Sequence, residues 1–177
     1  LLEKTELPIE GILLFSPMLE LKRDYKGRKN KLISNVGKIS KDTRFKVGIT
    51  PQDLTRNDEI IEETANDGLM LKKVTYSWYN LINEKMKETM DHIRDIKPIS
   101  ALIMYGTNDK ILETQSINEM KDKLKSKEMY FKVWDGLYHE IHNEPERDLV
   151  MRYVLSFLNN SVNTMGFIVN EEEIEDI

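Results

Sequence analysis

Two loops of this 177-residue chain carry side chains able to do acid–base chemistry. Tyr105-Gly-Thr-Asn-Asp109 closes one apolar run, with Gly106 allowing a tight turn and Asp109 emerging just past it. Asp135-Gly-Leu-Tyr-His139 stands in the same relation to the next run. Sites in open parallel sheets form beyond the carboxyl ends of the strands. If the two runs are adjacent strands, both loops open on one edge, and an Asp109–His139 hydrogen bond is sterically reasonable. A carboxylate on one imidazole nitrogen fixes the tautomer and stabilises the imidazolium formed when the other nitrogen accepts a proton. The same spacing fits a second reading, in which Asp109 caps the following helix and His139 is an ordinary loop histidine.

His139-Glu-Ile-His142 superficially resembles a zinc motif, but its histidines are three residues apart. The zinc motif needs them four apart on one helical face. With no cysteine and no further ligand cluster, neither a metal nor a cofactor is expected. His142 reads as a supporting or surface residue, and His92, in a charged helix, as solvated.

The elements that must hold these loops alternate. Residues 11–15 form a short apolar run between Pro8 and Ser16-Pro17, which predicts a strand buried on both faces. A polar stretch from Met18 to about Thr64 is too long for a structureless loop and predicts an inserted cap with a helix or two. From Lys73, the residues Val74, Trp78, Leu81, Ile82 and Met86 recur at helical spacing as an apolar stripe. Pro98 breaks the chain before a second strand at 101–105. Ser116 with Glu119 makes a capping-box signature for a helix carrying Ile117, Met120 and Leu124. Residues 129–134 alternate as a third strand. A last helix is expected to start at Asn143, with Pro145 in its first turn and Leu149, Val150, Tyr153, Val154, Phe157 and Leu158 on its core face. Strands alternating with helices predict an α/β fold with a parallel sheet.

Composition excludes several classes. The chain is 40% hydrophobic, too apolar for a disordered protein. Its 31 acidic and 26 basic residues are interleaved, so no nucleic-acid footprint emerges, and the basic cluster from Lys22 to Lys31 reads as a solvated loop. No apolar run reaches transmembrane length. The absence of cysteine excludes a disulfide framework. The compartment itself is unknown from sequence, with a cytoplasmic or membrane-peripheral position favoured over secretion. The start at Leu1, without a signal pattern, reads as a truncation or processing site.

Four stretches together make the chain recognisable: Phe15-Ser-Pro17; Leu54-Thr-Arg-Asn-Asp58 leading to Asn66-Asp67; Gly106-Thr-Asn-Asp109; and Asp135-Gly-Leu-Tyr-His139-Glu-Ile-His142-Asn-Glu144. In this order and separation they resemble monoacylglycerol lipases and related lysophospholipases, serine lipases of the α/β-hydrolase fold. The resemblance runs from about Ile9 to about Asn160. It implies that Asp109 is the acid and His139 the base of a Ser-His-Asp triad. It also divides the chain into the C-terminal part of an α/β hydrolase (1–17 and 71–160), a cap or lid insertion (18–70) and an acidic tail (161–177).

The sequence departs from that family in one large respect. The fold's nucleophile sits in a G-x-S-x-G elbow upstream of the acid and base, and no such pentapeptide occurs here. Ser16 ends a strand but is followed by Pro17 and lacks the glycines of an elbow. The resemblance therefore implies a serine and oxyanion donors upstream of Leu1. It further implies an exposed parallel edge that an upstream half-fold or a second chain would cover. The expected substrate is a lipid ester, monoacylglycerol or lysophospholipid. Ile111 and Leu112, beside the acid, are its candidate contacts, together with Met18 and Leu19 from the cap. Leu32, Ile33, Phe45, Leu69 and Met70 are further lipid-facing positions. By itself the chain is expected to be inactive. The rival reading is a binding or regulatory module derived from a hydrolase.

Overall fold

The computed structural model describes residues 11–22, 42–96, 99–124 and 129–159. In chain order these form β1 (Gly11–Phe15), β2 (Arg44–Phe45), α1 (Pro51–Leu54), α2 (Asp58–Asn66), β3 (Val74–Thr75) and α3 (Tyr76–His92). They continue through β4 (Ser100–Gly106), α4 (Gln115–Lys123), β5 (Met129–Trp134) and α5 (Arg147–Leu158), with 3₁₀ turns at Ile93–Asp95 and Ile141–Asn143. Strands β1, β4 and β5 make a parallel sheet in the order β1-β4-β5, in which Leu13 pairs with Leu102 and Leu102 with Tyr130. Strands β2 and β3 form a small antiparallel ladder of their own.

Side chains on successive strand residues point to opposite faces, and here they feed two cores. Leu102 and Met104, with Leu13, Phe15, Tyr130 and Trp134, pack beneath Val150, Tyr153 and Val154 of α5. Ile103 and Tyr105, with Leu14 and Phe131, pack against Ile117 and Met120 of α4 and Met90 and Ile93 at the end of α3. The central strand is buried from Ala101 to Gly106. Each fully buried aliphatic side chain contributes about 1.5–3 kcal/mol to folding, so β4 anchors the loop that follows it. A third cluster joins the segment after β1 to the loop after β4: Leu21, Tyr79, Met86, Ile111 and Leu112, with Phe45 and Leu54 against them.

Several expectations are corrected. β1 is half-buried rather than buried on both faces, because it lies at the edge of the described sheet. Trp78 and Leu81 are 47% and 50% exposed. The buried positions of α3 are Met86, which belongs to the expected stripe, and Tyr79, which does not. Ser116 is not a cap: helix α4 begins after Thr114, whose backbone is already helical, and the Ser116 hydroxyl donates back to the Glu113 carbonyl. Asn143 belongs to a 3₁₀ turn, and α5 starts only at Arg147. Its Leu158 faces outward at 58% exposure. Between β1 and α3 the described residues form two short helices, α1 and α2. Lys31, Leu32, Ile33 and the acidic tail lie outside the described residues.

Candidate active site

Asp109 follows the buried strand β4 and is itself fully buried, and its two carboxylate oxygens have separate partners. Oδ1 accepts the backbone N–H groups of Ile111 (2.8 Å) and Leu112 (2.9 Å). Oδ2 lies 2.8 Å from Nδ1 of His139. The two N–H donors lock the carboxylate rotamer, leaving Oδ2 aimed at the imidazole. Asp109 thus caps its own loop and also faces the histidine, so the two sequence readings describe two ends of one side chain. His139 is 22% exposed, and among the described residues no hydrogen bond engages its Nε2.

The two loops are stitched together below this pair. Thr107 N–H donates to the Trp134 carbonyl, and its hydroxyl donates to Asp135 Oδ1 while accepting Gly136 N–H. Asn108 N–H reaches the Leu137 carbonyl at 3.0 Å. Gly106 makes this approach possible: a Cβ there would stand 2.1 Å from the Leu137 oxygen. On the far side of the acid loop, Leu21 and Leu112 form an antiparallel bridge, and the Lys22 ammonium donates to the Asp109 carbonyl.

Ile111 and Leu112 are 2% and 0% exposed and pack with Leu21, Tyr79 and Met86. What they give Asp109 is their N–H groups. Leu19, 8% exposed, packs with Ile103, Tyr105 and Ile117 and lines a cleft of about 300 Å³ bordered by α3 and α4. Met18 is 40% exposed and Leu69 88%, whereas Phe45 packs edge-on to Tyr79. The structure therefore brings together Asp109 and His139, while Leu19 packs in the separate cluster with Ile103, Tyr105 and Ile117.

Glu144 and Arg56 carry no role in the sequence reading. The Glu144 carboxylate is fully buried; Oε1 accepts Tyr138 N–H at 3.0 Å, and Oε2 accepts Arg56 Nε at 2.7 Å. Arg56 also reaches Glu146 at 2.5 Å. Burial works against its charge, but the hydrogen bonds it donates to Glu146 and Glu144 outweigh that and hold the guanidinium pKa above its ordinary value. Both residues lie in stretches that carry the family resemblance, but nothing in the sequence pairs them across 88 positions.

Ser16 also differs from its sequence reading. It has a positive φ of 44°, the strained backbone seen at strand-end nucleophiles, although it lacks flanking glycines. Its hydroxyl is buried with no hydrogen-bond partner among the described residues, and so is not joined to His139. Nδ1 of His142 is likewise unpartnered, its ring edge-on to Phe15. Among the described residues no cluster of three or more His, Asp or Glu could hold a metal.

Residues 1–146 match the family described as serine aminopeptidase, S33. The chain is 27% identical over 154 residues to a phospholipase, YtpA, of Bacillus subtilis, covering 87% of this chain and 60% of that one. A monoacylglycerol lipase of Mycolicibacterium smegmatis is 35% identical over 57 residues, 32% of this chain and 20% of its own length. In structure it is similar to a monoacylglycerol lipase of Paleococcus ferrophilus, with a TM-score of 0.77 at 21% identity, covering 89% of this chain and 61% of that one. A monoglyceride lipase of Saccharomyces cerevisiae, solved with a substrate analogue, gives a TM-score of 0.77 at 16% identity, with 89% and 55% covered. These likenesses identify the α/β-hydrolase fold. The chain spans about three fifths of the length of the phospholipase.

Proposed function

Because the chain belongs to the serine aminopeptidase S33 family, we propose that it is the C-terminal portion of a serine ester hydrolase and supplies the acid and base of its triad. The observation that carries this reading is the 2.8 Å contact between buried Asp109 and Nδ1 of His139, with Nε2 left unbonded among the described residues. An upstream serine attacks the ester carbonyl while Nε2 of His139 takes its proton. Asp109 holds the proton on Nδ1 and stabilises the imidazolium, which then protonates the departing alcohol. The lipid-active relatives support a monoacylglycerol or lysophospholipid as substrate. No metal or other cofactor enters this scheme.

Covalent labelling with a fluorophosphonate probe tests it. The comparison is between the 177-residue chain, the chain extended by its upstream coding sequence, and that extended protein with His139→Ala. The proposal expects labelling of the extended wild type alone. Labelling of the short chain would mean that a serine within it is activated, and Ser16, strained and unpartnered, would then be the first suspect. No labelling of any form would favour a non-catalytic module.

A further inference from the structure

Both residues flanking His139 are held by one short piece of the insertion. Glu140 N–H donates to the Leu54 carbonyl at 2.8 Å. Tyr138 N–H donates to Glu144, whose other carboxylate oxygen is taken by Arg56. Thr55 adds a third link, its hydroxyl donating to the Asn143 carbonyl at 2.8 Å. Lys110, next to the acid, adds a fourth: it donates to the Gln52 carbonyl and sits 4.0 Å above the Tyr138 ring. Residues 52–56 thus bond the backbone directly on one side of the imidazole, reach the other side through Glu144, and touch the loop of Asp109.

Two of these links involve a cationic side chain, Lys110 on the Gln52 carbonyl and Arg56 on Glu144; of the two, the Arg56–Glu144 link is the ion pair. A carboxylate that is fully buried stays charged only when paired and hydrogen-bonded, and among the described residues the cation within salt-bridge distance of Glu144 is Arg56. The guanidinium is 35% exposed, so it reaches the interior from the surface of the insertion. Its planar fork meets Glu144 through Nε and Glu146 through Nη2, two contacts that a lysine ammonium would not reproduce together.

We propose that the Arg56–Glu144 ion pair is a positioning device, through which the insertion sets the orientation of His139 against Asp109. It rests on the reading of His139 as general base. Arg56 and Glu144 touch no reacting atom; they act through Tyr138. If the insertion moves, Glu144 loses its partner and the base loop loses its anchor, so catalysis is coupled to the seating of residues 52–56.

The test compares Arg56→Met, Arg56→Lys and Glu144→Gln in the extended protein, with a short soluble ester and a long-chain monoacylglycerol. Glutamine keeps an acceptor for Tyr138 N–H while removing the charge. Misplacing a catalytic group by about an ångström costs on the order of 100-fold. Arg56→Met and Glu144→Gln are therefore expected to lower kcat about 10- to 100-fold for both esters, with KM within about twofold. Arg56→Lys should recover part of the loss. A fall confined to KM for the long ester, or kcat within about twofold of wild type, would overturn the proposal. If circular dichroism shows that Arg56→Met does not fold, the kcat of Glu144→Gln decides between these outcomes.

A second readout needs no turnover. In the extended protein, the downfield Nδ1–H proton of His139 is expected to be sharp in the wild type and broadened or lost in Arg56→Met and Glu144→Gln. An unchanged resonance overturns the positioning role. If the extended wild type hydrolyses nothing, the enzyme reading fails, while this comparison still decides the clamp.

Discussion

The two oxygens of Asp109 do different work, and two substitutions separate them. Asp109→Asn keeps an oxygen for the Ile111 and Leu112 N–H groups but turns an NH₂ toward His139. That amide would donate to Nδ1 and drive the ring proton to Nε2, the nitrogen that must accept the serine proton. Ester hydrolysis by the extended protein is expected to fall about 10⁴-fold, as expected for a wrong tautomer, with little change in melting temperature. Asp109→Ala also strands two buried N–H donors, at about 1–3 kcal/mol each, so its melting temperature should fall clearly. Equal melting of the two variants would contradict the division of labour. That Asp109 and His139 could meet was legible because each follows its own strand by a few residues, whereas their roles rested on the family resemblance alone. Glu144 was not legible, since its meaning depends on Arg56, and no local pattern joins residues 88 apart. Ser116 misled for the opposite reason: the local pattern was present, but the bridge from Leu21 to Leu112 fixes the chain before it and moves the helix start.

At the level of elements, the Asp109–His139 geometry depends on how closely the β4 and β5 loops approach. Gly106→Ala would put a methyl group against the backbone of Leu137 and Tyr138, where no side chain can swing aside. The loops must separate, at a cost of about 1–3 kcal/mol or more, and His139 moves with Leu137. Reduced thermal stability together with loss of the His139 downfield proton is expected; stability lost with the proton retained would mean the loops give way elsewhere. The layers above and below the sheet bury two phenols. Burial raises the Tyr105 pKa, opposed by its bond to Asn118, and burial alone raises that of Tyr153. A raised phenol pKa favours the neutral form in the folded state, so the contribution is complete below about pH 10 and lost as pH rises through the folded value. Denaturation at increasing pH should therefore show stability falling above about pH 10, and less steeply in Tyr153→Phe. A slope identical to wild type would remove Tyr153 from the account. Helix α5 was readable because Val150, Tyr153 and Val154 repeat at helical spacing. Helix α3 was legible in part: Met86 is buried as expected, but Trp78 and Leu81 are as apolar as the Tyr79 actually buried, and apolar type alone cannot say which side meets the sheet.

On the scale of the whole molecule, the described sheet has only three strands, and β1 lies at its edge. Ile12, Leu13, Leu14 and Phe15 are each only half-buried there, although nothing in their composition suits them to water. The unpartnered Ser16 hydroxyl and His142 Nδ1 lie beside Phe15 at the same end. A parallel edge strand offers open N–H and C=O groups as a template for further pairing, and a net charge of −5 provides only modest repulsion against it. If an upstream half-fold normally covers this edge, the 177-residue chain by itself should find a substitute in other copies. Sedimentation velocity over a range of concentrations is then expected to show species above 20.8 kDa that grow with concentration, while the extended protein stays monomeric and alone reacts with the fluorophosphonate. The two results are tied by one cause, since the surface that seeks a partner is the one that would bring in the serine. A chain that stays monomeric and fully folded at every concentration would show that its edge is already satisfied, and the proposal of an upstream strand would lose its physical basis.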